Sequence, residues 1–184
     1  IGQMMEPVAL PPQRPRRTDE EVREQCPWAT TGRRVSRKPN IITSLELKPE
    51  AMEANNLHLQ EKYKTIRDNE VRYETQMCED AEYLVVAFGS AARIAESAIR
   101  EMRADGIKAG LFRPITVWPF PEKELREVAK GKKFILVAEI NAGQMIQDVR
   151  LSVGDSIAVH HYGRLGGMVP EPKEIIDTVK NLMK

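Results

Sequence analysis

The run Tyr83-Leu84-Val85-Val86-Ala87-Phe88-Gly89-Ser90 decides the predicted fold of this 184-residue chain. Its first six residues are apolar and rich in β-branched and aromatic side chains, which is typical of a strand buried on both faces. Gly89-Ser90 ends the run, and Ser90 is predicted to cap the following helix. That helix has one apolar face and is predicted to end at Gly106; the face consists of Ile94, Ala95, Ala98, Ile99 and Met102.

The same strand-then-helix pattern recurs to the end of the chain. Three more strands are predicted at 107–112, 134–138 and 157–159, and helices are predicted to begin at Pro121 and Gln144 and to span 171–184. Continuous apolar strands that alternate with amphipathic helices predict an α/β fold. Its three layers are a mostly parallel sheet and helices on both faces.

Two upstream segments have different patterns. Residues 1–46 contain five prolines in their first 27 positions, so we predict an extended proline-rich arm anchored by Trp28 and Val35. In residues 47–80, apolar side chains recur at steps of three, four or seven, which predicts one long amphipathic linker helix with Pro49 in its first turn. The α/β domain is then predicted to span 81–184.

Composition excludes several classes of function. The formal net charge is +1 and charged residues make up 30% of the chain, so no single-sign field indicates a nucleic acid or membrane partner. Cys26 and Cys78 are too far apart in sequence to form a CxxC pair or a metal site alone. No apolar run approaches the roughly 20 residues of a spanning helix. A cytoplasmic protein is expected, and the start at Ile1 suggests a fragment of a longer one.

Three stretches resemble a known family. They are VVAFGS at 85–90 with GIKAGLFRPITVWPFP at 106–121, VAEINAGQM at 137–145, and GRLGGMVP at 163–170. Together they are similar to the transketolase C-terminal-like domain in alpha subunits of 2-oxoacid:ferredoxin oxidoreductases of the 2-oxoisovalerate/2-oxoglutarate type. PWATTG at 27–32 resembles the 2-oxoisovalerate enzymes in particular.

This resemblance implies part of an enzyme that decarboxylates a 2-oxoacid oxidatively, forms acyl-CoA and reduces ferredoxin. The implied cofactors of the whole enzyme are thiamine diphosphate, Mg²⁺, [4Fe-4S] clusters and coenzyme A, none of them expected on this fragment. The implied partners are the pyrimidine-binding domain of the same subunit, beta and gamma subunits and ferredoxin, with a homodimer possible. This part is expected to serve assembly and to be inactive alone.

Candidate site residues lie where predicted strands end. Glu139, Asn141 and Gln144 follow the strand at 134–138, at the sheet edge where α/β proteins place ligands, and they are predicted to shape an interface near an active site. Arg113 and Arg164 occupy comparable positions and are predicted to pair with carboxylates across an interface or to remain solvated. No catalytic residue is predicted.

Alternative functions concern anion and metal binding. Gly89-Ser90 is a candidate anion site at a helix start, which would suit a free-standing Rossmann-like module for a nucleotide or coenzyme A, although the spaced glycines of a dinucleotide fingerprint are absent. His160 and His161 directly follow the predicted strand at 157–159, and adjacent residues in strand geometry point to opposite faces, so no shared metal ion is predicted. The arginines of the arm raise an RNA-binding adaptor as the third alternative.

Overall fold

The computed structural model describes residues 15–29 and 43–184. They fall into two compact units that divide between Gln60 and Glu61. The helices are α1 (Asp19–Gln25), α2 (Pro49–Asn69), α3 (Gly89–Ala104), α4 (Glu122–Ala129), α5 (Met145–Val153) and α6 (Pro172–Leu182). The strands are β1 (Tyr73–Gln76), β2 (Tyr83–Ala87), β3 (Ala109–Pro114), β4 (Phe134–Glu139) and β5 (Ala158–Gly163).

The five strands form one sheet in the order β1-β3-β2-β4-β5. β2, β3, β4 and β5 are parallel, and β1 pairs antiparallel with β3. The predicted α/β architecture with a mostly parallel sheet is confirmed. Because β3 lies on one side of β2 while β4 and β5 lie on the other, the chain reverses its winding direction between β2 and β4.

Each face of the sheet has its own hydrophobic core. Val85, Leu111 and Leu136 point to one face and pack with the inner sides of α3 and α6. Leu84, Phe112 and Val137 point to the other and pack with α4 and α5. Alternate residues of a strand face opposite sides, so a run that is apolar throughout supplies both cores. The helix face predicted from Ile94 to Met102 is buried as expected.

Some local predictions are wrong. Ser90 does not cap α3: the helix begins at Gly89, and its N-cap is Phe88 with no side-chain hydrogen bond. The linker helix does not reach residue 80, since α2 ends at Asn69 and β1 follows. Tyr73 fits the helical spacing, yet its ring stacks on Phe112 at 5.3 Å between centroids, so pairing with β3 overrides the local pattern.

The described part of the arm contains a helix, α1, which the proline-rich composition did not predict. In α1 the N-cap Thr18 hydroxyl accepts from the Glu21 N–H at 3.2 Å, and the Glu21 carboxylate accepts from the Thr18 N–H at 2.7 Å. This reciprocal capping box satisfies two donors at the helix start. The prediction of an extended arm therefore fails at 19–25. The predicted anchor Val35 lies outside the described residues.

Candidate functional site at the carboxyl edge of the sheet

The reversal of winding lies between β2 and β4. Ala87 of β2 pairs with Ala138 of β4, so the turns that follow these strands begin side by side. Ligands of open α/β sheets bind in the crevice at such a reversal, outside the carboxyl ends of the strands. Glu139, the last residue of β4, and the loop 140–144 lie at this reversal.

Glu139 is fully buried, with a relative exposure of 0%. Its carboxylate accepts from three successive backbone N–H groups at the start of α5. Oε2 accepts from Gln144 at 3.2 Å and from Met145 at 2.8 Å, and Oε1 accepts from Ile146 at 3.1 Å. These N–H groups have no partner within the helix, and the helix dipole favours a negative charge there. The carboxylate therefore caps α5 in place of an N-cap side chain.

Asn141 fixes the loop between Glu139 and α5. Its side-chain Oδ1 accepts from the Gly143 N–H at 2.8 Å and from the Gln144 N–H at 3.0 Å, a local turn typical of asparagine. The Gln144 N–H is thus shared between Asn141 and Glu139, while the Gln144 residue is exposed. Glu139 and Asn141 act on the backbone of this loop.

The neighbouring edge strand packs tightly against the same loop. His161 Nε2 lies 3.7 Å from Glu139 Oε1, and the His161 side chain is 27% exposed. Two residues further, a Cβ on Gly163 would lie 2.3 Å from the Asn141 carbonyl oxygen and 2.6 Å from His161 Cε1. Only glycine fits there, so β5 and the loop after β4 are held at a fixed distance.

Arg164 is joined to the site through backbone and side chain. Its N–H donates to the Glu139 carbonyl oxygen at 3.3 Å, and its Nη1 lies 2.8 Å from Glu174 Oε1. The Tyr162 hydroxyl donates to Glu174 Oε2 at 2.7 Å, as does the Glu171 N–H at 2.9 Å. These hydrogen bonds, that from Tyr162 foremost, lower the pKa of Glu174. Burial and then the Glu174 carboxylate raise the pKa of Tyr162.

The other predicted residues lie apart from this cluster. Arg113 Nη1 forms an ion pair with Glu74 of β1 at 2.9 Å, and Arg113 Nε is buried without a hydrogen-bond partner among the described residues. Gly89 and Ser90 are exposed at the start of α3. The structure thus brings Glu139, Asn141, Gln144 and Arg164 together. Both arginines pair with carboxylates of their own chain, and their role at an interface remains a prediction.

Sequence reasoning missed the residues of β5 and α6 that complete the cluster. The fourth strand was predicted to end at Val159, but β5 continues to Gly163, which brings His161 and Tyr162 into the sheet. The two histidines differ in surroundings as predicted, since the His160 ring meets Phe134 edge-on at 5.7 Å between centroids. Glu174 could have been found from the sequence, because Glu171 and Glu174 are spaced as a capping box, and they form one at the start of α6.

The loops around this edge expose large apolar side chains. They follow β3, β4 and β5, which are parallel, so all three emerge at the same edge of the sheet. The exposed side chains are Ile115, Val117, Trp118, Ile140, Leu165, Met168 and Val169. Clustered exposed apolar residues are typical of contact surfaces. We call this set the apolar edge.

The start of α5 does not fit the diphosphate of thiamine diphosphate. The N–H groups that could hold a phosphate at α5 already bind Glu139. Across residues 15–29 and 43–184, no group of three or more His, Cys, Asp or Glu side chains is placed to hold a metal ion. Within the same ranges, none of the helices combines the length and apolarity needed to span a membrane.

Comparisons with known proteins identify similar sequences and a similar fold. Residues 81–175 match the family model of pyruvate:ferredoxin oxidoreductase core domain II. The chain is 40% identical over 182 residues to ketoisovalerate oxidoreductase subunit VorB of Methanothermobacter marburgensis, covering 99% of this chain and 50% of that protein. It is 31% identical over 134 residues to 2-oxoglutarate synthase subunit KorA of the same organism, covering 73% and 36%. The chain thus spans about half the length of that VorB subunit and about a third of that KorA subunit.

Two solved structures have a similar fold. A 2-oxoglutarate:ferredoxin oxidoreductase from Magnetococcus marinus matches with a TM-score of 0.66 at 23% identity, covering 76% of this chain and 24% of that one. A split-gene transketolase matches with a TM-score of 0.51 at 18% identity, covering 60% and 40%. These similarities show the fold. With the match to core domain II, the chain belongs to the 2-oxoacid:ferredoxin oxidoreductase family.

Proposed function

We propose that this chain is part of the alpha subunit of a thiamine-diphosphate-dependent 2-oxoacid:ferredoxin oxidoreductase. The whole enzyme would convert a 2-oxoacid, coenzyme A and two oxidised ferredoxins into an acyl-CoA, carbon dioxide, two reduced ferredoxins and a proton. The observation that carries the proposal is the alignment with subunit VorB, which runs along 99% of the chain at 40% identity.

A branched-chain 2-oxoacid is the proposed substrate. The ketoisovalerate subunit aligns at 40% identity over 182 residues, whereas the 2-oxoglutarate synthase subunit aligns at 31% over 134 residues. The longer alignment supports 2-oxoisovalerate over 2-oxoglutarate.

This part of the subunit would act in assembly. The apolar edge exposes Ile115, Trp118 and Leu165 among others, and surfaces of this kind are typically covered by another chain or domain. The polar cluster beneath it is bonded internally: Glu139 caps a helix, and Glu174 binds Tyr162 and Arg164. The proposed task of these residues is to hold the loops of the apolar edge in one conformation. The beta and gamma subunits and ferredoxin are the proposed partners.

The free-standing nucleotide or coenzyme A module is the weaker alternative. It requires exposed N–H groups at a helix start beside the reversal. Those of α5 are occupied by a side chain of the protein, so this alternative would depend on Gly89 and Ser90 at the start of α3.

The test is an anaerobic assay of the full-length alpha subunit, co-expressed with its beta and gamma subunits. Viologen or ferredoxin reduction is followed with coenzyme A and one 2-oxoacid at a time. We expect kcat/KM for 2-oxoisovalerate to exceed that for 2-oxoglutarate and pyruvate by at least about tenfold, a difference that a side-chain pocket readily provides. A preference for 2-oxoglutarate would contradict the substrate, and inactivity with every 2-oxoacid would contradict the function.

A pull-down tests the proposed assembly role. In a pull-down with the beta subunit, Leu165→Asp should weaken capture because it places a charge in the apolar edge. Lys123→Asp, on the exposed side of α4, is the matched control and should leave capture unchanged. Equal capture of both variants would contradict a role of the apolar edge in assembly.

A further inference from the structure

The start of α5 has every feature of an anion site except a vacant position. It follows a parallel strand at the reversal of winding, and three successive N–H groups converge on one point. In nucleotide-binding α/β domains, this combination of a strand end and a helix start holds a phosphate. Here the anion is the carboxylate of Glu139, which is carried by the strand itself.

We propose that Glu139 is a built-in anion, which occupies the position a ligand phosphate takes in nucleotide-binding domains of this architecture. It fixes the loop 140–144 without a cofactor and occupies the N–H groups of α5 that would otherwise bind a phosphate. Removal of the carboxylate alone would leave a latent site for a free carboxylate ion. Glu139 is thus a positioning residue for the loop that follows β4.

The surrounding charges support a site that holds one anion and rejects a second. Asp148 lies in the first turn of α5, and its pKa is raised by burial and by the negative charges of Glu122 and Glu139. A phosphate entering this region would meet all three carboxylates. The cation near Glu139 would be His161, 3.7 Å away, and only in its protonated form.

The geometry also limits what could replace the side chain. The Glu139 carbonyl oxygen accepts from the Arg164 N–H, and Gly163 leaves no space for a Cβ beside the loop. The backbone on both sides of the carboxylate is therefore fixed. Truncating Glu139 to alanine removes two carbons and two oxygens, which is the size and shape of an acetate ion.

Acetate rescue tests the proposal. Thermal unfolding of the 184-residue chain is measured in sodium acetate and in sodium chloride of equal ionic strength, at pH 7. We expect Tm of Glu139→Ala to rise by about 3 °C in acetate relative to chloride, as for a ligand bound about tenfold above its Kd. The wild type should show no difference between the salts. Asp177→Ala, which removes an exposed carboxylate from α6, is the matched control and should show none either.

Glu139→Gln separates charge from shape. Its amide nitrogen would face backbone donors, so the variant should be destabilised, and because its side chain fills the space, acetate should not raise its Tm. Equal acetate responses of Glu139→Ala and Glu139→Gln would overturn the proposal. A Tm of Glu139→Ala in chloride equal to that of the wild type would also overturn it. So would a wild type whose Tm is higher in acetate than in chloride.

If Glu139→Ala fails to fold in chloride, the proposal is tested by the yield of refolded protein in acetate and in chloride. Recovery in acetate but not in chloride would support the proposal. Where neither salt restores it, hydrogen exchange of the wild-type Met145 and Ile146 amides decides: slow exchange supports the three bonds to Glu139, and exchange as fast as in an exposed loop overturns them. None of these measurements involves turnover, so their failure is distinguishable from failure of the proposed enzymatic function.

Discussion

Gly163 sets how closely β5 approaches the loop after β4. A Cβ at this position would meet the Asn141 carbonyl oxygen at 2.3 Å, and a backbone atom cannot move aside as a flexible side chain can. We predict that Gly163→Ala lowers the free energy of unfolding by about 3 kcal/mol, the upper end of the usual cost of overpacking.

The control for that substitution is Gly131→Ala. Nothing lies within 4 Å of its added Cβ, and only its φ of 72° opposes a side chain, at a cost of about 1–2 kcal/mol. Chemical denaturation of both variants gives the comparison. If Gly163→Ala lowers the free energy of unfolding less than Gly131→Ala does, the loop after β4 moves to make room for the added Cβ.

Cys78 is predicted to be an unreactive thiol in the folded chain. The residue is 6% exposed, its Sγ lies 3.2 Å from the Leu111 carbonyl oxygen, and burial is the main cause of its raised pKa. Thiolates are the reactive species, so Cys78 should react with a disulfide reagent on the order of 100-fold more slowly than the partly exposed Cys26. The kinetics should therefore show one fast and one slow thiol.

The variant Cys26→Ser assigns the fast phase to the Cys26 thiol. In this variant the fast phase should be absent, and Cys78 should react rapidly once denaturant unfolds the chain. A fast phase that persists in Cys26→Ser would place Cys78 at the surface. These residue-scale properties were hidden from sequence reasoning, because burial and close approach depend on residues distant along the chain.

At the scale of elements, Glu174 ties β5 to α6. It accepts hydrogen bonds from Tyr162 and from the Glu171 N–H, and these lower its pKa below the usual 4.5. A carboxylate whose pKa is depressed by folding contributes stability that is fully present above the unfolded-state pKa. That contribution is lost as the pH falls through the lower, folded-state pKa.

Glu174→Gln should therefore be less stable than the wild type at neutral pH, and the difference should shrink as the pH falls below 4.5. Denaturant titrations from pH 7 to pH 3 measure it. Asp177→Asn, which removes an exposed carboxylate from the same helix, should follow the wild-type curve. A difference between Glu174→Gln and the wild type that does not change with pH would contradict an ionic contribution.

Element boundaries were predictable where one local signal dominated. β2 and β4 follow from runs that are apolar throughout, and α3 ends before Gly106 as predicted. β1 was missed because its four residues are mostly exposed and continue the helical spacing of α2. α1 and α6 both begin with capping boxes, which identify a helix start by two residues three positions apart.

At the scale of the molecule, the sheet includes β1, which lies upstream of the predicted domain start at 81. β1 covers one edge of β3, stacks Tyr73 on Phe112 and pairs Glu74 with Arg113. A shortened chain of residues 61–184 keeps all of these contacts. A chain of residues 78–184 loses them and leaves β3 as an open edge.

We predict that Tm of the chain 78–184 lies about 5–10 °C below that of the chain 61–184, as measured by circular dichroism. Glu74→Ala in the longer chain removes only an exposed ion pair and should change Tm by less than about 4 °C. Equal Tm values for the two lengths would show that β1 contributes nothing to the fold.

The sequence by itself determined the α/β class, the layered sheet and the family resemblance, because apolar runs and helical periodicity are local patterns that burial imposes on every strand and helix. It also marked Glu139, Asn141 and Arg164 as residues at the ends of strands. Only the tertiary structure decided what they do: Glu139 holds a helix start, Arg113 pairs with Glu74, and His161 and Glu174 join the site. Strand order and the antiparallel β1 arise from contacts between segments far apart in the chain, and no local pattern encodes those contacts.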